Sequence, residues 1–168
     1  YLIQVDSILK TGMMKYPDPP LSFYFFSLLI LIFKDATFSV KLGTVLLCST
    51  TVFPAYFLIK KMTYSPTASA TGSLFASLSP GLISLSGEFL KNAIGIPFLL
   101  SFIYFSYRIL KGDNSLASRS FFVLSFFLTG LTHILDTGVA LLFLLIEVII
   151  ASLSRNRKPG FLKFSLLF

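Results

Sequence analysis

Residues 38–59 read FSVKLGTVLLCSTTVFPAYFLI, an apolar run in which Lys41 is the one charged residue. A helix needs about 20 apolar residues to cross the hydrocarbon core of a bilayer, so this run is long enough to span a membrane. Pro54 does not exclude a helix, because membrane helices tolerate proline where neighbouring groups satisfy the freed carbonyl. The run ends at Lys60 and Lys61, and it decides the class of the protein.

The composition of the whole chain agrees with this first span. Of 168 residues, 55% are hydrophobic and 12% are charged, and the mean hydropathy is +0.84. Soluble domains are about 45–50% apolar and about 25% charged. The chain therefore predicts an all-α, polytopic transmembrane helical bundle. It begins with Tyr1 rather than Met and stops inside an apolar run, which predicts an internal piece of a longer protein.

The chain divides into two predicted regions. Residues 1–37 are predicted as a first outer loop with juxtamembrane helices. An apolar stripe at helical spacing over residues 2–9 predicts a short amphipathic helix that Gly12 can end. The prolines of residues 16–20 predict a rigid extended turn. Residues 21–33 are apolar but too short to span, which favours an interfacial or re-entrant helix. Whether residues 18–34 cross the membrane stays open.

The second region, residues 38–168, is predicted as the transmembrane bundle. Its further apolar runs predict spans at about 66–86, 93–110, 120–135 and 139–153, with another starting from 161. Residues 136–138 are predicted to break the chain between two of these spans. Residues 66–86 are rich in Ala, Ser, Gly and Thr, and small residues let membrane helices approach closely. This composition predicts a central position for that span.

The basic residues predict an orientation. If residues 38–59 run from outside to inside, the short inner loops carry an excess of Lys and Arg, which is typical of cytoplasmic loops. These inner residues are Lys60, Lys61, Arg108, Lys111, Arg119, Arg155, Arg157 and Lys158. The net charge of +7 therefore need not indicate a nucleic acid, and no nucleic-acid partner is predicted. The pattern predicts an integral protein of the plasma (inner) membrane.

The polar chain breaks whose side chains could carry chemistry all fall on the predicted outer face. Ionisable groups beside membrane spans are costly unless they are paired or solvated, so they indicate function. Their convergence predicts a site at the outer membrane surface, with Glu88 and Asp18 as catalytic candidates. The substrate-binding candidates are Lys91, Asn92, His133 and Asp136. Asp6 is interpreted as a residue on the solvated face of its helix.

Each candidate has a structural interpretation beside the functional one. The spacing of Glu88 and Lys91 places both on one side of a helix, where they would face a phosphate-bearing substrate or simply pair with each other. His133 would transfer a proton or contact phosphate with Asp136 as its orienting partner, or would only be solvated. Asp18, fixed between prolines, is either a site carboxylate or a turn residue.

Two further residues lie within predicted spans. Glu147 is a mid-span carboxylate, which indicates either a transport path or a hydrogen bond to a neighbouring helix. Cys48 is the sole cysteine and is interpreted as a buried or lipid-facing thiol. Phosphate-loop, serine-hydrolase and metal-ligand motifs are absent from the sequence, so nucleotide-driven chemistry and a protein-bound metal are not predicted. The cofactor is not identified, and a divalent cation stays an open alternative.

Four elements occur in a familiar order. They are the opening YLIQVDSILKTGMMKYPDPPLSFYFF, the span that ends at Lys60 and Lys61, the residues SLSP leading into GEFLKN, and the break LTH at residues 131–133. In order, spacing and shared outer side they resemble the N-terminal half of GT-C superfamily membrane glycosyltransferases. That group includes protein O-mannosyltransferases, aminoarabinose transferases and oligosaccharyltransferase catalytic subunits.

The resemblance implies a function for the candidates. It implies transfer of a sugar from a polyprenyl-phosphate donor to an acceptor protein, lipid or glycan at the bilayer surface. Glu88 would be the acidic residue of the second outer loop, Lys91 and His133 would contact the lipid phosphate, and Asp18 would line the site. The family's first-loop carboxylate normally precedes the segment that begins here at Tyr1, so the implied base lies outside this sequence. A transporter or flippase and a non-catalytic membrane subunit remain as alternatives.

Overall fold

The computed structural model describes residues 1–155, apart from the side chains of Ala151, Ser154 and Arg155. The regular secondary structure in this part of the chain is entirely helical, which confirms the predicted all-α class. The helices are α1 (Leu2–Thr11), α2 (Leu21–Phe33), α3 (Ala36–Ser49), α4 (Val52–Thr63), α5 (Pro66–Ser77), α6 (Pro80–Glu88), α7 (Leu90–Leu110), α8 (Leu116–Thr132) and α9 (Ile134–Arg155). The predicted span from 161 lies outside the described residues.

Among the described residues, two helical runs are long and apolar enough to cross a membrane. One is Ala36–Thr63, formed by α3 and α4 over 28 residues, and the other is α7 with 21 residues. Pro54 lies near the join of α3 and α4 and has no N–H to donate. The Thr50 carbonyl instead accepts a hydrogen bond from the Phe53 N–H at 3.1 Å, so the chain tightens there and continues as a helix.

The structure divides the apolar run of residues 66–86 into two helices. Helix α5 ends at Ser77 and α6 begins at Pro80. Ser79 caps α6, because its hydroxyl accepts a hydrogen bond from the Leu82 N–H at 3.2 Å. Proline is favoured at the first helical position, where its missing N–H has no partner to lose. The local sequence therefore starts a new helix within the predicted span.

Helix α7 is the centre of the described bundle. It contacts α3, α4, α6, α8 and α9, whereas α5 packs chiefly on α4. The prediction that residues 66–86 are central is therefore wrong for the described part of the chain. Small residues do bring α5 close to its neighbour, since a Cβ added at Gly72 would lie 2.9 Å from Ile59. This close approach serves one helix pair and does not place α5 in the middle.

The first two helices are docked on the beginning of α7. Gly12 ends α1 in the left-handed region, with φ 76°, as the sequence predicts. One apolar core joins α1 and α2 to the bundle, and it contains Val5, Ile8, Phe23, Phe26, Cys48, Leu82, Ala93 and Ile94. Cys48 is thus a buried thiol. This docking places residues 1–20 beside the first turn of α7.

Candidate functional site

A cavity of about 420 Å³ lies where the first residues of the chain meet the beginning of α7. Helix α1, the turn after it, α2, the α6–α7 break and the α8–α9 break all contribute side chains. The lining residues are Tyr1, Gln4, Tyr16, Asp18, Phe23, Glu88, Phe89, Lys91, Asn92 and His133. We call this space the Lys91 cavity. It brings together five of the six candidate site residues and leaves out Asp136.

A chain break at Phe89 sets the directions of Glu88 and Lys91. Glu88 is the last residue of α6, and Phe89 has φ −124° and ψ 58°, outside the helical region. Lys91 lies in the first turn of α7. The two side chains therefore do not share one continuous helix face, and Lys91 forms its ion pair with Asp18 instead. The prediction of a helical Glu88–Lys91 pair is wrong because the helix ends between them.

Lys91 is a largely buried cation. Its side chain is 11% exposed, and its ammonium group donates a hydrogen bond to the Asp18 carboxylate. The Nζ atom lies 4.5 Å from the ring centroid of Phe23 and 5.9 Å from that of Tyr1. Aromatic faces attract cations, and a paired carboxylate offsets part of the cost of burying a charge. These contacts hold one positive charge at a defined place in the cavity.

The turn before Asp18 is held by the side chain of Gln4, which the sequence pattern did not single out. The side chain of Gln4 is almost fully buried and holds the turn before Asp18 from both sides. Its Nε2 donates to the Tyr16 carbonyl at 2.9 Å, and its Oε1 accepts from the N–H groups of Lys15 and Tyr16 at 2.8 and 3.0 Å. With prolines on both sides of Asp18, these hydrogen bonds leave the carboxylate facing Lys91.

His133 forms the break between α8 and α9. Its backbone is extended, with φ −156° and ψ 132°, and α9 begins at the next residue. The prediction of a break at residues 136–138 is wrong, because these residues form the first turns of α9. Burial lowers the pKa of His133, the Lys91 charge lowers it further, and Asp18 acts in the opposite direction. These influences favour the neutral form of the imidazole in the cavity.

Asp136 lies behind His133 rather than in the cavity lining. Its Oδ2 is 3.8 Å from the His133 Nδ1, which is too long for a hydrogen bond. Neither atom has a hydrogen-bond partner within the described residues. Gly95 of α7 makes room for the Asp136 carboxylate, since an added Cβ would overlap it. A direct contact between Asp136 and substrate is not supported by this position.

The other predicted residues separate into exposed and internal positions. Glu88 is exposed at the cavity rim and has no ion pair among residues 1–155, whereas Asn92 is half-buried beside Lys91. Asp6 pairs with Lys10 at 2.7 Å on the exposed side of α1, which confirms its interpretation as a solvated residue. Glu147 accepts a hydrogen bond from the Ser106 hydroxyl of α7, which confirms the helix-to-helix interpretation of that residue.

Five lining residues were not candidates in the sequence: Tyr1, Gln4, Tyr16, Phe23 and Phe89. Four of them are aromatic, and aromatic residues are common throughout this chain at 16%, so composition does not single them out. Gln4 did carry a signal, because it is a polar residue directly beside the apolar stripe of α1. No group of three or more His, Cys, Asp or Glu side chains able to hold a metal occurs within the described part of the chain.

One comparison with known proteins identifies a family for this chain. No curated protein and no solved structure gives a significant match to the chain. The family model for dolichyl-phosphate-mannose-protein mannosyltransferases matches residues 17–167, which is most of the sequence and includes Asp18, Lys91 and His133. This match confirms the resemblance to membrane glycosyltransferases. With its two candidate spans, the chain is an integral membrane protein that belongs to the dolichyl-phosphate-mannose-protein mannosyltransferase family.

Proposed function

We propose that this protein transfers a sugar from a polyprenyl-phosphate-linked donor to an acceptor at the outer face of the plasma membrane, and that the Lys91 cavity is the site. Family membership supports the sugar-transfer chemistry. The observation that carries the assignment of the site is the buried Lys91 ammonium, paired with Asp18 in a cavity that also contains Glu88, Asn92 and His133. The donor, the acceptor class and the membrane face are parts of the proposal.

The position of Lys91 along α7 fits a lipid-borne donor. Lys91 is in the first turn of a helix that is long enough to cross the bilayer, so its ammonium lies near one membrane surface. A polyprenyl phosphate keeps its hydrocarbon chain in the bilayer and its charged phosphate at that surface. The basic loops lie toward the other end of α7, and the Lys/Arg rule puts such loops in the cytoplasm. The Lys91 cavity then faces outside.

The ion pair gives the donor phosphate a place to bind. The Asp18 side chain is 36% exposed, whereas that of Lys91 is 11% exposed. Asp18 can therefore turn toward water when a phosphate arrives, while Lys91 stays under the rings of Phe23 and Tyr1. Charge-assisted hydrogen bonds to phosphate are among the strong ones in proteins. Asn92 and His133 supply further hydrogen-bonding groups beside it.

The reaction requires a negative charge to be stabilised and a proton to be accepted. The acceptor oxygen forms a bond to the anomeric carbon of the sugar, and the bond from that carbon to the phosphate oxygen breaks. The electron pair leaves with the lipid phosphate, where the Lys91 ammonium stabilises the developing charge. The acceptor gives up its proton to a carboxylate. Among the residues of this chain we assign Glu88 to this role, in place of the carboxylate that the resemblance implies before Tyr1, because Glu88 is exposed at the rim of the cavity without a described partner.

Substitution of Lys91 by Met is the direct test. Lys91→Met keeps an unbranched side chain, one atom shorter, and removes the charge, so we expect transfer to fall at least about 100-fold. Transfer from a radiolabelled polyprenyl-phosphate mannose donor is measured with the full-length protein in vesicles. Lys10→Met is the matched control, because Lys10 also pairs with an aspartate but is 71% exposed. A folded Lys91→Met protein with unchanged transfer would contradict the proposal.

Glu88→Gln tests the second role independently. The amide keeps the shape of the side chain but cannot accept the acceptor proton, so we expect a loss of about 100-fold or more in kcat. The KM for the donor should change little, because Glu88 is not assigned to the phosphate. Equal kcat values for the variant and the original protein would remove Glu88 from the mechanism while leaving the Lys91 assignment in place.

A further inference from the structure

A groove between α4 and α7 changes from apolar to basic along its length. Its apolar part has a volume of about 290 Å³ and is lined by Phe53, Phe57 and Phe105 among others. Its basic part has a volume of about 440 Å³ and includes Lys61 and Lys111, together with the carboxylate of Asp113. Tyr104 and Arg108 line both parts, so the two volumes lie next to each other along α7. We call the two together the α4–α7 groove.

The groove lies at the other end of the bundle from the Lys91 cavity. Lys91 and Arg108 are on the same helix, and a rise of 1.5 Å per residue separates them by about 26 Å. This separation is close to the thickness of the hydrocarbon core, which is about 30 Å. The basic part of the groove therefore lies at the opposite membrane surface. Phe53 lies about 12 Å from Lys61 along α4, so the apolar part extends into the bilayer.

Two lysines of the groove form no salt bridge in the part of the chain that the structure describes. Arg108 is already paired with Asp113, and its guanidinium lies 5.8 Å from the ring centroid of Tyr104. Within residues 1–155, neither Lys61 nor Lys111 forms a salt bridge. The Lys111 ammonium lies 5.7 Å from the ring centroid of Tyr107. Two positive charges are thus available beside the apolar part of the α4–α7 groove.

We propose that the α4–α7 groove binds one anionic phospholipid of the cytoplasmic leaflet. The lipid phosphate lies between Lys61 and Lys111, and one acyl chain lies against Phe53 and Phe57. An amphiphile with a negative headgroup is the ligand that matches both parts of the groove. A free phosphate would leave the apolar part unfilled, and a lipid without net charge would not match the two lysines. Anionic lipids are enriched in the cytoplasmic leaflet, where the basic loops place this end.

Binding is tested with the full-length protein stripped of lipid in detergent. Phosphatidylglycerol and phosphatidylcholine with matched acyl chains are added, and bound lipid is counted by native mass spectrometry. Each basic residue near an anionic headgroup strengthens binding roughly fivefold, so Lys61→Ala/Lys111→Ala should lower the preference for phosphatidylglycerol roughly 25-fold. Lys34→Ala/Lys41→Ala is the matched control, because it removes the same charge from exposed positions outside the groove. Its preference should be unchanged.

A variant of the apolar part and an inorganic competitor complete the test. Ser101→Phe fills the apolar part of the groove and should weaken the binding of both lipids while the preference for the anionic one remains. Full retention of phosphatidylglycerol binding in Lys61→Ala/Lys111→Ala would overturn the proposal. Displacement of phosphatidylglycerol by excess inorganic phosphate would also overturn it, because the ligand would then be a free anion. Sugar transfer is not used as a readout, so either result is independent of the Lys91 cavity.

Discussion

Helix α7 carries a basic residue near each end, and each pairs with an aspartate in a different way. At one end, Lys91 pairs with Asp18, which is 73 positions away along the chain, and the lysine side chain is 11% exposed. Near the other end, Arg108 pairs with Asp113, five positions away, and both side chains are about one-third exposed, at 35% and 28%. The same two charge types are thus joined by tertiary packing at one end and by a turn at the other.

The Lys91–Asp18 and Arg108–Asp113 pairs are suited to different roles. Hydrogen bonds from Ser115, and then from Ser118 and Arg108, hold the pKa of Asp113 well below its usual range. Those partners are all close in sequence, so this aspartate organises the turn between α7 and α8. Lys91 instead depends on the docking of residues 1–20 onto α7. A buried cation with one partly exposed partner is suited to exchange that partner for a ligand.

The largest effect that separates the two ends is expected for Asp18→Ala. The variant leaves Lys91 largely buried and without its counter-ion. Breaking a fully buried pair costs about 3–5 kcal/mol, and partial exposure of Asp18 reduces the expected loss to about 2 kcal/mol. The melting temperature in detergent should fall by about 4–8 °C.

Addition of a polyprenyl phosphate makes this test specific. The lipid phosphate should restore the melting temperature of Asp18→Ala, because it supplies the missing negative charge to Lys91. Asp6→Ala is the matched control, since Asp6 pairs with Lys10 on an exposed face of α1. It should change neither the melting temperature nor the response to lipid. If the melting temperature of Asp18→Ala is unchanged and does not respond to the lipid, the Lys91–Asp18 pair has no special role.

A smaller effect at the same end is expected for Gln4→Ala. The side chain of Gln4 makes three hydrogen bonds to the turn before Asp18. Their loss should destabilise the protein by about 1 kcal/mol, because water can reach the exposed turn. Without these hydrogen bonds the turn no longer holds Asp18 in a fixed position relative to Lys91. The KM for the donor should therefore rise about tenfold, with a smaller change in kcat. A change in melting temperature without a change in KM would reduce Gln4 to a structural role.

The smallest effect is expected at the other end, for Asp113→Ala. Arg108 is partly exposed and Ser115 is exposed, so water can replace their lost contacts, and only the buried Ser118 hydroxyl loses a partner inside the protein. The melting temperature should change less than for Gln4→Ala, and sugar transfer should be unchanged. Both quantities are measured in the same assays. A loss of transfer comparable to that of Lys91→Met would break the comparison, because it would mean that the two ends of α7 act together.

Much of the fold could be predicted because it depends on local properties of the chain. The length of the apolar runs predicts the all-α membrane class, and Gly12 predicts the end of α1. The breaks were less predictable. Ser79 and Pro80 carry a helix-start signal inside an apolar run, and the signal is easily outweighed by the hydrophobicity on both sides. The break at His133 depends on one extended residue, whose backbone angles the sequence does not display.

The candidate site was predictable as a set of residues but not as an arrangement. Polar breaks on one predicted side brought Asp18, Glu88, Lys91 and His133 to attention, and the structure places all four at one cavity. The partner of Lys91 could not be predicted, because Glu88 is near it in sequence whereas Asp18 is brought to it by folding. The place of Asp136 behind His133 depends on Gly95, a residue of a different helix.

The sequence alone is enough to predict a helical membrane protein. It also shows which polar residues remain outside the apolar runs. These properties follow from hydrophobic length and from local helix signals. The central position of α7 and the hydrogen bonds of Gln4 to the turn before Asp18 are visible only in the tertiary structure. The same holds for the pairing of Lys91 with a carboxylate 73 positions away. The physical reason is that an ion pair between distant segments forms only after apolar packing has brought those segments together.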